Sequence, residues 1–186
     1  MYLGGNEINL SPCFEPAGMS LRNLRLTVLF LALACTVGCD QTSKYLARSQ
    51  LGKFGSVLMP GGFGEFRLAE NPGSFLSLGA ALPAPLRVVC FTLGVGAGLL
   101  VLGAYLARRT RLEWMPFVAL SLVLAGGVSN LIDRVTRQGL VTDFMVLRVG
   151  PLQTGVFNVA DVMVMIGVGL LGWAVWNRGV PNPSWQ

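Results

Sequence analysis

The sequence contains no histidine and only four cysteines. The absence of histidine excludes Ser-His-Asp and Cys-His nucleophile systems and zinc sites of the HExxH type. The cysteines form no CxxC pair, and Cys35, Cys39 and Cys90 lie in apolar runs, where cysteine usually acts as a small hydrophobic residue. We therefore predict no disulfide, no metal site and no cofactor.

Charged residues are also scarce. They make up 12% of the 186 residues, whereas apolar residues make up 53%, which lies outside the range of a soluble domain. The 14 basic and 9 acidic residues suit a protein in contact with anionic lipid, and they form no basic platform for nucleic acid. The composition predicts an integral membrane protein whose partners include membrane lipid but no nucleic acid.

Four apolar stretches predict membrane helices at about residues 26–45, 88–107, 114–133 and 157–177. The uncharged run Leu26–Cys39 would reach only about 21 Å as a helix, short of a hydrocarbon core of about 30 Å. The first helix must therefore continue past residue 39. Asp40 and Lys44 then share one helix face as an acid-base pair. In the second helix, Gly94, Gly96 and Gly98 favour close helix packing.

Four spans with alternating directions place both long loops, 45–86 and 135–156, on one side of the membrane. The opposite side receives Arg108, Arg109 and Arg111 in one short turn, which makes it cytoplasmic by the positive-inside rule. Both chain ends then lie in the cytoplasm. We predict a disordered tail at residues 1–21, a membrane domain at 22–178 and a second tail at 179–186.

The two outer loops have β-like patterns. Residues 141–149, VTDFMVLRV, alternate with a period of two, which predicts a short strand with Asp143 and Phe144 on opposite faces. The loop 45–86 predicts a small sheet or ribbon on the membrane surface.

The topology brings all four aspartates of the chain, Asp40, Asp133, Asp143 and Asp161, to one membrane face. Carboxylates at such a border are costly unless a partner or a task offsets their desolvation. Taken singly, Asp161 could form a capping box with Asn158, and Asp133 could form an ordinary ion pair with Arg134. Jointly they suggest a site, because polar side chains that can bind a peptide backbone accompany them: Asn71, Asn130, Asn158 and Arg134.

Two carboxylates close together can share one proton. The charged one activates water and the protonated one polarises a scissile carbonyl, which is aspartic-protease chemistry. A Ser43-Lys44 protease is less favoured, because neighbours on a helix point about 100° apart. Two alternatives remain: a small proton-coupled transporter, which should carry acids near the bilayer midplane, and a membrane-anchored structural lipoprotein with a modified Cys35 or Cys39.

Five segments resemble, in order and spacing, the five motifs of lipoprotein signal peptidase, also called signal peptidase II. They are DQTSK at 40–44, ENPGSFLSL at 70–78, GGVSNLIDR at 126–134, VTDF at 141–144 and FNVAD at 157–161. The resemblance covers about residues 22–178. It implies an all-α bundle of four transmembrane helices in the bacterial inner membrane, with a small periplasmic β-cradle and a surface helix. The implied activity is that of an aspartic endopeptidase.

The resemblance also implies the substrate and the site. The substrate is a prolipoprotein, cut just before a cysteine that an upstream diacylglyceryl transferase has modified. The catalytic pair corresponds to Asp143 and Asp161. The substrate-contacting positions correspond to Asn71, Asn130, Arg134 and Asn158, and the structural positions to Asp40, Lys44 and Asp133. The chain departs from the family at Pro72, where threonine is usual; proline removes a backbone N–H there.

Overall fold

The computed structural model describes residues 19–73, 83–109 and 111–178. The predicted tails at 1–21 and 179–186 lie almost wholly outside these residues and stay predictions. The second half of the ENPGSFLSL motif also lies outside them. Within the described residues, no surface helix stands apart from the membrane-length helices, except for a 3-10 turn at Pro60–Gly62.

The first helix, α1, runs from Leu21 to Phe54. The Oγ of Ser20 accepts a hydrogen bond from the Asn23 backbone N–H at its start, and Gly55 ends it with φ of 76°. The helix is longer than the predicted span 26–45, so the expectation that its last turns belong to the surface loop is wrong. Ala47 and Leu51 explain the extension, because they are buried against Phe144 of the sheet. Tertiary packing thus continues a helix that apolar length alone would end earlier.

Three further membrane-length helices follow. The second, α2, comprises three consecutive segments, Ala84–Arg87, a π-helical stretch Val88–Gly94, and Val95–Arg108. The others are α3, Trp114–Thr136, and α4, Val159–Arg178. With α1 they give, within the residues that the structure describes, four helices long and apolar enough to cross a membrane, which agrees with the predicted number. Large apolar side chains such as Leu100 and Trp176 point outward, about three-quarters exposed, as expected for a lipid-facing surface.

The most extensive helix contact is between α3 and α4, and glycines permit it. A Cβ at Gly126 would collide with the Ala160 carbonyl oxygen, and a Cβ at Gly167 would lie 2.6 Å from the Ala119 carbonyl oxygen. The sequence had pointed instead to the glycines of α2. Gly98 has nothing within 4 Å and Gly96 makes only ordinary contact with Leu131, so that expectation is wrong. The close approach brings the middle of α3 against the first turn of α4.

An antiparallel sheet covers one end of the bundle, with strand order β1-β2-β3-β4. The strands are β1 Val57–Leu58, β2 Gly64–Asn71, β3 Val141–Val149 and β4 Leu152–Gln153. The predicted strand at 141–149 is confirmed: Phe144 packs on α1, and Asp143 points to the other side, toward Asn158. Ala69 is paired with Asp143, so Asn71 lies on the same face as Asp143 at the end of β2.

At the other end of the bundle, Arg25 fastens α1 to the turn between α2 and α3. Its guanidinium donates to the carbonyl oxygens of Arg109 and Leu112 and lies 5.0 Å from the Trp114 ring centroid. Beside it, Leu29, Leu106, Phe117 and Leu124 form a buried apolar cluster of three helices. The bundle is therefore closed by packing at one end and by the sheet at the other.

Candidate active site

A cavity of about 600 Å³ opens beside the sheet, between α2, α3 and α4. Its deeper walls are apolar, with Leu99, Val123 and Met165 among the lining residues. Its polar end contains five of the residues named from the sequence: Asn71, Asn130, Arg134, Asp143 and Asp161. Four separate elements, β2, α3, β3 and α4, supply them, so the fold gathers side chains that are far apart in sequence.

Asp143 lies on β3 and is 2% exposed. Its Oδ2 accepts a hydrogen bond from Asn71 Nδ2 at 3.0 Å, and its Oδ1 accepts one from Asn158 Nδ2 at 2.6 Å. Burial, and after it the nearby negative charge of Asp161, raise the pKa of Asp143 to about 6, although the two asparagine hydrogen bonds and the charge of Lys44 act in the opposite direction. The carboxyl group is thus set to exchange a proton near neutral pH.

Asp161 lies in the first turn of α4 and forms the predicted capping box with Asn158. The Asp161 backbone N–H donates to Asn158 Oδ1 at 2.9 Å, and the Asn158 backbone N–H donates to Asp161 Oδ2 at 3.2 Å. The other carboxylate oxygen accepts from Asn130 Nδ2 at 2.9 Å. Asn158 therefore touches both aspartates, because its side chain also donates to Asp143.

A second group of charges lies behind the cavity, fully buried. Lys44 Nζ is 2.7 Å from Asp40 Oδ2 and 3.0 Å from Asp133 Oδ2, and none of the three side chains is more than 1% exposed. The predicted Asp40-Lys44 pair is confirmed. The suggested ion pair of Asp133 with Arg134 is wrong, because Asp133 turns into the bundle toward Lys44. Two carboxylates around one ammonium need further donors, which the neighbouring backbone and polar side chains provide.

Arg134 lies at the cavity wall, 8% exposed. Its Nη2 donates to the Gly73 carbonyl oxygen at 3.1 Å, and its Nε has no hydrogen-bond partner among the described residues. The Gly73 backbone N–H donates to Asn71 Oδ1 at 3.0 Å, so the Asn-Pro-Gly turn closes on its own side chain. Pro72 leaves this turn intact, since neither hydrogen bond uses its missing N–H.

Sequence reasoning did not single out Gln41, Ser129 and Thr142. Ser129 Oγ donates to Asp40 Oδ2 at 2.7 Å, and Gln41 Nε2 donates to Asp133 Oδ1 at 3.1 Å. The Thr142 backbone N–H donates to Asp133 Oδ2 at 3.1 Å. All three lie inside the quoted motifs, either next to an aspartate or four residues from one. This spacing could have identified them from the sequence.

The donors around the two cavity aspartates suit hydrogen-bonded carboxylates. All four of their oxygens accept an N–H, three from asparagine side chains and one from the Asn158 backbone. A metal ligand set would instead need further oxygens directed at one point. Among the described residues, no group of three or more acidic, cysteine or histidine side chains is placed to hold a metal ion.

The structure is a multi-pass membrane bundle in which two hydrogen-bonded aspartates, the buried Asp143 and the partly buried Asp161, line one cavity, and this defines a class of membrane protein with a carboxylate site. Comparison with known proteins identifies the family within this class. The sequence profile of the family described as "Signal peptidase (SPase) II" matches residues 32–177. The chain belongs to the signal peptidase II family and is a membrane peptidase, as the motifs had indicated.

Individual relatives agree with this assignment. The chain is 34% identical over 144 residues to a lipoprotein signal peptidase of Syntrophus aciditrophicus, covering 76% of this chain and 88% of the relative. It is 37% identical over 148 residues to one of Dehalococcoides mccartyi, covering 77% and 86%. A solved bacterial membrane enzyme shares the fold, with TM-score 0.71 and 23% identity over 87% of this chain and 94% of that chain. The transporter and structural-lipoprotein alternatives are not favoured.

Proposed function

We propose that Asp143 and Asp161 form the catalytic pair of an aspartic endopeptidase that cleaves prolipoproteins just before a diacylglyceryl-modified cysteine. Membership of the signal peptidase II family makes the chain a peptidase that removes signal peptides from lipoprotein precursors. The aspartic chemistry and the roles of individual residues are the part that we add.

One observation carries this proposal: both carboxylates lie on the wall of one cavity and are joined through one asparagine. Asn158 donates to Asp143 Oδ1 at 2.6 Å and accepts from the Asp161 backbone N–H at 2.9 Å. Because Asp143 is buried and lies near the negative charge of Asp161, the two carboxyl groups cannot both ionise cheaply, so they hold one proton between them. Asn71 and Asn130 each hold one further carboxylate oxygen from the side.

The shared proton supplies both halves of peptide hydrolysis. The ionised carboxylate removes a proton from water, which attacks the scissile carbonyl, while the protonated partner donates a hydrogen bond to the carbonyl oxygen. The raised pKa of Asp143, about 6, favours proton exchange near neutral pH. Arg134 contributes a buried Nε–H at the cavity wall, where a substrate backbone carbonyl can accept it.

The cavity also suits a lipidated substrate. Apolar side chains of three helices line it below the aspartates, among them Leu99, Val123 and Met165, and an acyl chain is the ligand that such a wall accepts. The upstream enzyme that attaches the diacylglyceryl group is then a transferase acting on the same precursor. We place the protein in the bacterial inner membrane with the sheet and the cavity at the periplasmic face. The basic turn at Arg108 and Arg109, at the opposite end, supports this orientation.

The test is cleavage of a diacylglyceryl-modified prolipoprotein peptide by the purified protein in detergent, with the cleaved bond located by mass spectrometry. Asp143→Asn and Asp161→Asn should each lower the rate at least about 100-fold, because either change removes both the acid and the base. The double variant should be no slower than either single variant, since the two residues act as a unit.

Glu70→Gln is the matched control. It converts a carboxyl group to an amide on β2, next to Asn71, but Glu70 pairs with Arg137 outside the cavity. Its rate should stay within about two-fold of the parent, as surface pairs contribute little. Substantial cleavage by either aspartate variant, with the control unaffected, would refute the catalytic assignment.

A further inference from the structure

We propose, on the basis of the function proposed above, that Lys44 is a positioning residue that fixes the Asn130 side chain and thereby holds Asp161 as a hydrogen-bond acceptor. Lys44 lies on α1, is fully buried, and does not line the cavity. It acts on the reacting groups only through other side chains.

The ammonium group of Lys44 has three acceptors for its three protons. They are Asp40 Oδ2 at 2.7 Å, Asp133 Oδ2 at 3.0 Å and Asn130 Oδ1 at 2.9 Å. Lysine donates three hydrogen bonds and accepts none, so its capacity is used completely. The two carboxylates compensate the positive charge of Lys44. The hydrogen bond to the neutral Asn130 side chain connects Lys44 to the cavity.

The contact with Lys44 determines which way the Asn130 amide points. Its carbonyl oxygen accepts from Lys44 Nζ and from Asn158 Nδ2 at 3.1 Å, and its NH₂ group donates to Asp161 Oδ1 at 2.9 Å. If the amide turned over, its NH₂ group would face two other donors and its oxygen would face a carboxylate. All three contacts would become repulsive. An ammonium group enforces this orientation because it can never accept a hydrogen bond.

Both carboxylates held by Lys44 also reach the backbone beside a cavity aspartate. Asp40 Oδ1 accepts from the Ala160 backbone N–H at 2.9 Å, one residue before Asp161. Asp133 Oδ2 accepts from the Thr142 backbone N–H at 3.1 Å, one residue before Asp143. The strand and the helix that carry the aspartates are thus fastened to the same ammonium group.

Charged side chains of two helices surround the two cavity aspartates. They are Asp40, Lys44 and Arg48 on α1 and Asp133 and Arg134 on α3. Removing Lys44 alone would leave Asp40 and Asp133 buried without a cation, which is strongly destabilising. Removing Lys44 together with the charge of Asp133 keeps the sum of these charges unchanged. Asp40 then retains its hydrogen bonds from Ser129 and Ala160.

The experiment compares the parent, Asp133→Asn and the double variant Lys44→Met/Asp133→Asn, with kcat and KM for the lipidated peptide measured across pH. The double variant should lose about 10- to 100-fold in kcat with KM little changed, because the reacting groups are misplaced while the cavity wall is intact. The acid limb of its pH profile should move up by about one pH unit or more, since the anionic pair loses a fixed N–H donor.

In the Asp133→Asn variant, Lys44 still holds Asn130. The acid limb of this variant's pH profile should therefore not move to higher pH, even if its thermal stability falls. If the double variant does not accumulate in membranes, Lys44→Gln/Asp133→Asn is used in its place. Glutamine both donates and accepts hydrogen bonds, so it does not enforce one orientation of the Asn130 amide. The kcat and the acid limb should therefore change in the same direction. A parent-like kcat and acid limb in the folded double variant would overturn the role of Lys44. Failure of the parent itself to cleave would instead count against the proposed function.

Discussion

The buried carboxyl group of Asp143 should make the folded protein less stable as pH rises, and the size of this effect follows from its surroundings. In the unfolded chain an aspartate titrates at 3.8, whereas desolvation and the charge of Asp161 raise the pKa of Asp143 to about 6 in the folded protein. Below about pH 4 the group is protonated in both states and costs nothing. Above about pH 6 it is ionised in both states, and the folded state carries the whole penalty.

The penalty is about 3 kcal/mol, from a difference of about two pKa units at about 1.4 kcal/mol each. Asp143→Asn removes the titrating group and with it this pH dependence. The difference in melting temperature, parent minus variant, should therefore fall by roughly 6–12 °C between about pH 4 and about pH 7, at about 2–4 °C per kcal/mol for a chain of this size.

The assay is thermal unfolding of both proteins in the same detergent at a series of pH values. Titration of the shared groups that are not coupled to Asp143 largely cancels in the difference. Asparagine has one acceptor oxygen where the aspartate offers two to Asn71 and Asn158, so the variant also loses a hydrogen bond. That loss displaces the curve equally at every pH and does not change its slope. Parallel curves for parent and variant would refute the raised pKa of Asp143.

Such a cost is expected where a side chain serves chemistry rather than stability. With the same hydrogen bonds at a solvent-exposed position, the Asp143 carboxyl group would ionise more readily, because it would not pay the cost of desolvation. Its position, 2% exposed beside a second carboxylate, is the one that the proposed catalytic role requires, because in that role it holds a proton near neutral pH.

The features that the sequence predicted correctly are local ones. Asp40 and Lys44 are four residues apart on a helix, Asn158 and Asp161 are spaced as a capping box, and residues 141–149 alternate with the period of a strand. In each case the spacing along the chain determines the contact, so no knowledge of the rest of the fold is needed.

The connections between these local pairs could not be predicted from spacing. Lys44 meets Asn130 across 86 residues, and Asp133 meets Lys44 instead of its neighbour Arg134. Which face of α3 turns toward α1 depends on how the helices pack, and helical periodicity in a uniformly apolar segment does not reveal it. The motif resemblance named several residues of this network, but it singled out neither Gln41, Ser129 and Thr142 nor the contacts that join the residues.

Glycine positions show the same limit. Three closely spaced glycines in α2 suggested a packing face, yet the close approach lies at Gly126 and Gly167, between α3 and α4. A glycine in an apolar helix permits contact on whichever side a neighbour lies, and composition does not say where the neighbour is. Only Gly126 lies in a quoted motif, four residues before Asn130, where close packing brings that asparagine to Asp161.

Three further predictions test the rest of the scheme. Cleavage should be unaffected by EDTA, because a proton shared between two carboxyl groups replaces a metal; loss of activity that a divalent ion restores would contradict this. Reporter fusions at residue 110 and at the C-terminus should both behave as cytoplasmic, since an even number of spans returns the chain to its starting side; a periplasmic signal from either would contradict the topology. Finally, Asp40→Asn should lower the melting temperature by on the order of 10 °C and leave measurable cleavage, because Asp40 lies behind the cavity. Its Oδ2 accepts from Lys44 and Ser129 and its Oδ1 from the Ala160 backbone. Asparagine keeps only one of those oxygens, so it must turn its NH₂ group toward a donor on one side, and breaking a buried pair in this way costs about 3–5 kcal/mol. A parent-like melting temperature with abolished cleavage would reverse the assignment and make Asp40 a reacting group instead of a support.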